Sequence, residues 1–177
     1  DSEIYPLPDY RDNCVDVIRA SHVLEHFPHR QIDDVLAEWV RVLKPGGILR
    51  IAVPDFEKIA KGYLEGRGEQ VPAEWLVMGA QSDDNDFHRS LFDRDHLRRR
   101  LANAGLVLLK PWESEIEDCA DYQISLNIEG TKHAMKEIKV SAAMSVPRLG
   151  FMDNFGSCID ALLPLGIKLR RQGGAFW

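Results

Sequence analysis

Two histidines and a glutamate lie within five residues, His22-Val23-Leu24-Glu25-His26, where they could bind a metal ion. Their order matches H-x-x-E-H, a zinc peptidase pattern in which both histidines share a helix face and the glutamate acts as a base. That chemistry needs a long helix, but a predicted strand precedes the segment and Pro28 closes it. A third ligand on a later helix is also not clearly placed. We therefore predict no metal site from this pattern.

The elements around this segment form a strand–helix–strand unit. Residues 15–20 are short, rich in β-branched side chains and preceded by turn residues, which predicts a buried strand. Lys44-Pro45-Gly46-Gly47 ends the following helix, and residues 48–53 form a second strand. Such a unit places the two strands parallel, so an α/β fold is expected. The apolar face of the helix consists of Ile32, Val35, Leu36, Trp39, Val40 and Leu43.

The rest of the pattern continues in the same α/β style. Asp55 and Asp93 are each placed to cap a helix, and Gly105 suits the left-handed position after the second of them. The last strand is expected to pair with the one before it, as an antiparallel hairpin. The predicted ranges are helices over 56–65, 72–80 and 94–104, a polar loop over 82–86, and strands over 106–110 and 122–128.

Polar side chains follow both strands of the predicted unit. In an open α/β sheet, ligands bind outside the carboxyl ends of the strands. Ser21, His22 and Val23 follow the first strand and are therefore expected to face that crevice. Asp55 follows the second strand, where capping its helix is the competing role.

Composition narrows the class of protein. The net charge of −6 argues against a general nucleic-acid binder. Three scattered cysteines form neither a disulfide framework nor a metal clip, which favours a reducing compartment such as the cytoplasm. No apolar run approaches the roughly 18 residues of a membrane span, so no membrane-spanning segment is expected.

Two long motifs, Tyr5–His26 and Arg41–Gly47, resemble the central motifs of class I S-adenosylmethionine-dependent methyltransferases. His88-Arg89-Ser90-Leu91-Phe92 and Ala104-Gly105-Leu106 also look like the last third of that family's domain. The resemblance covers about residues 1–132. It implies the C-terminal part of a Rossmann-like domain over 1–136, with a mainly parallel sheet and flanking helices.

The resemblance also implies a cofactor, S-adenosylmethionine, and a set of contacts. The residues expected near the cofactor are Asp1, Ser2, Ser21, His22 and Val23. Those expected near the methyl acceptor are His26, Asp55, His88 and Arg89. A structural hydrogen bond is the competing role for Glu25 and His26, and a loop salt bridge is the competing role for His88 and Arg89. No catalytic residue is assigned, and small molecules, sugars, lipids and proteins all stay open as acceptors.

One departure from the family affects the cofactor site. Family members carry a glycine-rich turn after their first strand, but the sequence contains no GxGxG and lacks the first three strands. The chain alone is therefore expected to bind the cofactor weakly or not at all. Its first strand would be an exposed edge, which favours marginal stability or self-association through that edge. A non-catalytic methyltransferase-like remnant is the alternative.

Residues 137–177 are expected to begin a second α/β unit. The stretch from Val140 to Asn154 resembles the opening of a nucleotide-sugar-dependent glycosyltransferase, in which Pro147 and Arg148 would line the nucleotide. Glycosyl transfer by this downstream unit is the second alternative function, and a strand packed on the methyltransferase part is the competing structural role.

Overall fold

The computed structural model describes residues 4–66 and 71–134. Asp1, Ser2 and everything predicted for residues 137–177 lie outside the described residues. The division of the chain at residue 136 therefore stays a prediction. Within the described ranges, no helix is both long enough and apolar enough to cross a membrane.

Strands and helices alternate along the chain, as the sequence predicts. The first strand and the helix after it have almost the predicted bounds. The elements are β1 (Val15–Ser21), a 3-10 turn (Leu24–His26), α1 (Ile32–Val42), β2 (Leu43–Pro54), α2 (Phe56–Leu64), α3 (Ala73–Met78), α4 (Arg94–Asn103), β3 (Leu106–Pro111), a second 3-10 turn (Cys119–Asp121) and β4 (Ser125–Lys132).

The four described strands form one sheet in the order β1-β2-β4-β3. β1 pairs parallel with β2, whereas β4 pairs antiparallel with both β2 and β3. Three strands thus share one direction, but the sheet is mixed, with one parallel and two antiparallel pairs. The α/β class is confirmed, and the expectation of a mainly parallel sheet holds for strand direction but not for strand pairing. β4 causes the difference because it lies between two strands that would otherwise be parallel neighbours.

β4 also begins later than predicted. Tyr122 follows the second 3-10 turn, and its carbonyl accepts a hydrogen bond of 2.8 Å from Ser125 N. The turn thus engages the N–H and the carbonyl of Tyr122 before the β4 ladder starts at Ser125. The antiparallel pairing of β3 with β4 is confirmed, although the long connection between them is not a tight hairpin turn.

β2 begins five residues before its predicted start. α1 ends at Val42, so the Lys44–Gly47 segment does stop the helix, but it lies within β2 as an irregularity, because the pairing with β1 passes from Leu43 directly to Ile48. Gly46 has φ +81°, a conformation that residues with a side chain rarely adopt. A β-carbon on Gly47 would lie 2.8 Å from the Lys44 carbonyl oxygen, which explains the need for glycine at this close approach.

Helices α1 and α4 cover one face of the sheet and form the main core with it. Leu49, Ile51 and Val53 of β2 are almost wholly buried on this face, with Leu126 and Ile128 of β4. Burial of each such side chain contributes about 1.5–3 kcal/mol. The main core therefore fixes where β2 and β4 end, and hence where their terminal residues lie.

The opposite face of the sheet combines a small apolar cluster, Ala52, Trp112 and Ala120, with charged side chains. Arg19 and Arg50 stack against the ring of Trp112, and Arg50 pairs with Glu129 at 3.0 Å. β1 pairs on one side only, so within the described sheet it is the edge strand that the sequence predicts.

Candidate functional site

The carboxyl ends of β1 and β2 meet the start of β4 at one edge of the sheet, here called the carboxyl edge. Pro54 pairs with Ser125, and His22 N donates to the Ala52 carbonyl at 2.8 Å. Asp55 N donates to the Ile124 carbonyl at 2.8 Å. Polar residues from three strands are therefore held within a small region, as parallel strands require.

His22 is fixed between β1 and β4. Its backbone has φ +50°, and its Nε2 lies 2.6 Å from the Ser125 hydroxyl. Its Nδ1 lies 3.3 Å from Glu25 Oε1. Burial, with a smaller repulsion from His88, lowers the pKa of His22 to about 4. The imidazole is consequently neutral at neutral pH and can both donate and accept a hydrogen bond.

Ser21 and Val23 flank His22 in different environments. The Ser21 hydroxyl oxygen is buried without a well-formed hydrogen bond, and it faces Asp118. Hydrogen bonding from Arg19, with a smaller effect from Ser21, holds the pKa of Asp118 well below its usual range. Val23 packs against the main core. Of the three predicted cofactor residues described by the structure, Ser21 thus keeps the acceptor capacity of its hydroxyl for a ligand, because a hydroxyl that donates towards Asp118 can still accept a hydrogen bond.

Glu25 is the most unusual residue of the carboxyl edge. Its side chain is 1% exposed, and neither carboxylate oxygen has a well-formed hydrogen bond among the described residues. Burial raises the pKa of Glu25 to about 8. An unpaired buried carboxylate is costly, because it loses its hydration without a partner. The competing role from the sequence, a structural hydrogen bond, belongs to the Glu25 backbone carbonyl, which accepts from Arg89 N and Ser90 N.

His26 and His88 lie side by side, although the chain separates them widely. Their ring centroids are 5.0 Å apart in an edge-to-face arrangement, and His26 Nδ1 is buried without a well-formed hydrogen bond. Burial lowers the pKa of His88, and the neighbouring His26 lowers it further. One ligand atom each from Glu25, His26 and His88 lies within 4.8 Å of the others.

Backbone hydrogen bonds hold this arrangement in place. The Glu25 carbonyl accepts from Arg89 N at 2.7 Å and from Ser90 N at 3.1 Å. The Ser90 hydroxyl donates to the Phe27 carbonyl at 2.7 Å. The 3-10 turn and the segment before α4 are therefore joined along their backbones, which brings His88 to the turn.

The remaining predicted acceptor residues, Asp55 and Arg89, do not belong to the cluster of the two histidines. Asp55 is 4% exposed and caps α2 by accepting hydrogen bonds from Glu57 N and Lys58 N. Its carboxylate is committed to the helix, as the competing interpretation predicts. Arg89 is exposed, and Asp86, one residue of the polar loop over 82–86, accepts hydrogen bonds from Ser82.

Sequence reasoning missed Ser125, Tyr122 and Asp118. Ser125 bonds His22, the Tyr122 ring packs edge-to-face on His22 with centroids 6.2 Å apart, and Asp118 pairs with Arg19 at 2.6 Å. All three lie about a hundred residues after β1 in the chain. The register of β4 against β2 places Ser125 at the carboxyl edge, and Asp118 and Tyr122 flank the 3-10 turn just before β4. No local sequence signal reports that register.

The H-x-x-E-H pattern does not form the helix that a zinc peptidase needs. His22 lies in the turn after β1, and Leu24–His26 form a single 3-10 turn. The ligand cluster includes Glu25 and His26 but takes His88 in place of His22. The rejection of the peptidase interpretation is consistent with this backbone.

One family model matches the N-terminal part of the chain. A family model described as a methyltransferase domain matches residues 2–51. None of the curated proteins matches the chain.

Several solved structures resemble the described part. They include a carbon methyltransferase named CurJ, with 16% identity, a TM-score of 0.47 and coverage of 73% of this chain and 33% of that one. A Haloferax volcanii complex of the Trm112 methyltransferase activator with a methyltransferase is 18% identical, with a TM-score of 0.49 and coverage of 74% of this chain and 59% of that one. An S-adenosylmethionine-dependent methyltransferase from Archaeoglobus fulgidus is 15% identical, with a TM-score of 0.48 and coverage of 75% of this chain and 65% of that one.

The chain spans from a third to just under two thirds of the length of these three proteins. The family match begins before β1, covers α1 and ends inside β2. The resemblance predicted from the motifs is thus confirmed over residues 2–51, the part of the chain that matches the methyltransferase domain family.

Proposed function

We propose that this chain forms part of an S-adenosylmethionine-dependent methyltransferase, with its ligand crevice at the carboxyl edge. The observation that carries the proposal is the match of a methyltransferase domain model to residues 2–51. Those residues form β1, α1 and the start of β2, the unit whose carboxyl ends would border the crevice. The methyl acceptor is left open.

The described residues fit one side of a cofactor site. Ser21 has a buried hydroxyl without a well-formed hydrogen bond, so it can bind a polar group of the cofactor. His22 is neutral and held rigidly by Ser125, which suits it to shape the pocket wall. Asp1 and Ser2 complete the predicted contacts outside the described residues.

Bound S-adenosylmethionine would supply a methyl group on a sulfonium sulfur, which is already activated for transfer. The protein then contributes mainly alignment, because holding two reactants in line removes much of the entropic barrier. On the acceptor side, the proposed contacts are His26, His88 and Arg89. Asp55 is less suited to that role because it already caps α2.

Calorimetric titration with S-adenosylmethionine tests the proposal. It would be applied to this chain and to a form that carries a glycine-rich strand and turn ahead of Asp1. We expect micromolar affinity in the extended form and weak or no binding in the chain alone, because the described residues supply one wall only. Ser21→Ala in the extended form should weaken binding by about fivefold, the equivalent of one hydrogen bond.

Ser82→Ala is the matched control, since Ser82 lies in an exposed loop. Its affinity should equal that of the unmodified extended form. Absence of binding in both the chain and the extended form would reject the proposal and leave a methyltransferase-like remnant without a cofactor.

A further inference from the structure

We propose that Glu25, His26 and His88 bind a divalent transition-metal ion of the zinc class. Two of these residues, His26 and His88, are also the acceptor contacts proposed above, but the metal site does not rest on methyl transfer. Its three residues come from two segments that the fold brings together. Neither the family match nor the motif analysis assigns a metal to the chain. The proposal rests on the positions of the ligand atoms and on their unsatisfied state.

First, polar side-chain atoms of this cluster lack well-formed hydrogen bonds to other described residues. Five side-chain polar atoms are buried without a well-formed hydrogen bond among the described residues, and three of them are Glu25 Oε1, Glu25 Oε2 and His26 Nδ1. Buried polar atoms are normally paired, so three such atoms at one place point to a ligand. A cation satisfies carboxylate oxygens and an imidazole nitrogen at once.

The second argument is the type of ligand. Two imidazole nitrogens and one carboxylate oxygen form a His₂Glu set, which binds zinc with a fourth position left for water or another molecule. The ligand atoms lie within 4.8 Å of one another, compared with about 3.4 Å between ligands of a tetrahedral zinc ion. Small side-chain rotations of His26 and His88, both half-buried, would close that difference.

The third argument is the rigidity of the frame. Arg89 N and Ser90 N both bond the Glu25 carbonyl, and His88 N donates to the Met78 carbonyl at 3.0 Å. The backbone on each side of the site is therefore fixed before a metal arrives. A preformed frame lowers the entropic cost of binding.

His22 has a supporting place in this arrangement. Its Nδ1 lies 3.3 Å from Glu25 Oε1, and its Nε2 is occupied by Ser125. A partner of this kind orients a ligating carboxylate from outside the coordination sphere. The metal would thus use Glu25 and His26 of the H-x-x-E-H pattern but replace its first histidine with His88.

Metal titration of the untagged, metal-stripped chain tests the site. Zn²⁺ binding would be followed by calorimetry, and Co²⁺ binding by the visible absorption that a four-coordinate ion shows. We expect one ion per chain, and a loss of affinity of at least about tenfold in His26→Ala, His88→Ala and Glu25→Gln. His29→Ala and His96→Ala should leave the affinity unchanged, because neither histidine belongs to the cluster.

A second measurement uses the unmodified chain and does not depend on the folding of any variant. Histidines would be modified with diethyl pyrocarbonate and located by mass spectrometry, with and without Zn²⁺. We expect the metal to protect His26 and His88 while His29 stays reactive.

Three results would overturn the proposal. The first is absence of one-to-one binding by the unmodified chain. The second is unchanged affinity in a folded His88→Ala variant. The third is selective protection of His22 and His26 without His88, which would return the metal to the H-x-x-E-H pattern.

Discussion

The carboxyl edge of the sheet and the opposite edge, here called the amino edge, differ in how far their polar groups are paired by hydrogen bonds. At the amino edge, Arg41 bonds Glu38 at 2.7 Å and Asp12 at 2.6 Å, and Lys132 Nζ donates to the Leu43 carbonyl at 2.7 Å. At the carboxyl edge lie all five side-chain polar atoms that are buried without a well-formed hydrogen bond in the described part of the chain. They belong to Ser21, Glu25, His26 and Asn127.

This contrast distinguishes polar groups that stabilise the fold from polar groups that are available to a ligand. Paired polar groups stabilise a fold, whereas unpaired buried groups cost free energy and persist where a ligand needs them. The amino edge thus holds the sheet together, and the carboxyl edge has the unsatisfied groups typical of a binding site. Four predictions test the contrast.

The largest effect is expected for Phe92→Ala. Phe92 is 1% exposed in the main core, and its carbonyl accepts from Phe56 N at 2.9 Å, so it supports both segments of the carboxyl edge. The free energy of unfolding should fall by about 3–5 kcal/mol in urea denaturation. Phe87→Ala is the control, since Phe87 is 37% exposed. A loss as small in Phe92→Ala as in Phe87→Ala would contradict this view of the core.

Replacing one acidic residue at each edge should change the free energy of unfolding in opposite directions. In the metal-free protein, Glu25→Met should raise the free energy of unfolding by about 1–3 kcal/mol, because it removes an unpaired buried carboxyl. Glu38→Met should lower it by up to about 1 kcal/mol, because it breaks the bonds to Arg41. Both would be measured by urea denaturation without metal. Equal destabilisation by the two changes would break the comparison.

A smaller loss is expected at Asp55, the paired acidic group of the carboxyl edge. Asp55→Ala removes the cap of α2 and should lower the free energy of unfolding by about 1 kcal/mol. Thermal unfolding would show this beside Asp84→Ala, a change in an exposed loop that should have little effect. If both variants melt together, the cap does not stabilise the fold.

The smallest effect concerns acid stability at the amino edge. Hydrogen bonding to Arg41 lowers the pKa of Glu38 to about 2 from 4.5, so its carboxylate stabilises the folded state fully above pH 4.5. That contribution is lost as the pH falls towards 2. The stability difference between the unmodified chain and Glu38→Gln, under about 1 kcal/mol for this partly exposed pair, should narrow over that range. Urea denaturation at several pH values measures it, and a constant difference would exclude the pairing.

Local signals predicted much of the fold. The apolar face of α1, the end of that helix at Lys44–Gly47, and the caps Asp55 and Asp93 all depend on residues within a few positions of one another. The order strand, helix, strand follows from the same signals. The placement of Ser21 and His22 at the carboxyl edge could also be predicted, because parallel strands put their ends together.

Long-range pairing could not be predicted in this way. β4 lies between β2 and β3, and no signal within its own sequence specifies β2 as its second neighbour. His88 reaches His26 through two backbone bonds to Glu25, and those bonds depend on how the segment before α4 crosses the sheet edge. His26 and His88 could therefore be predicted as neighbours of an acceptor, but their contact with each other could not.

The place of β4 in the sheet has a consequence for folding order. Ile48 pairs with Thr131 and Pro54 with Ser125, so the central ladder joins strands that are far apart in the chain. A chain emerging from the ribosome can form β1, α1 and β2 early, but β3 has no neighbour until β4 arrives. Loop closure over such a separation slows folding, and apolar residues of β2 stay uncovered in the meantime. The last described strand thus determines when the whole sheet becomes stable.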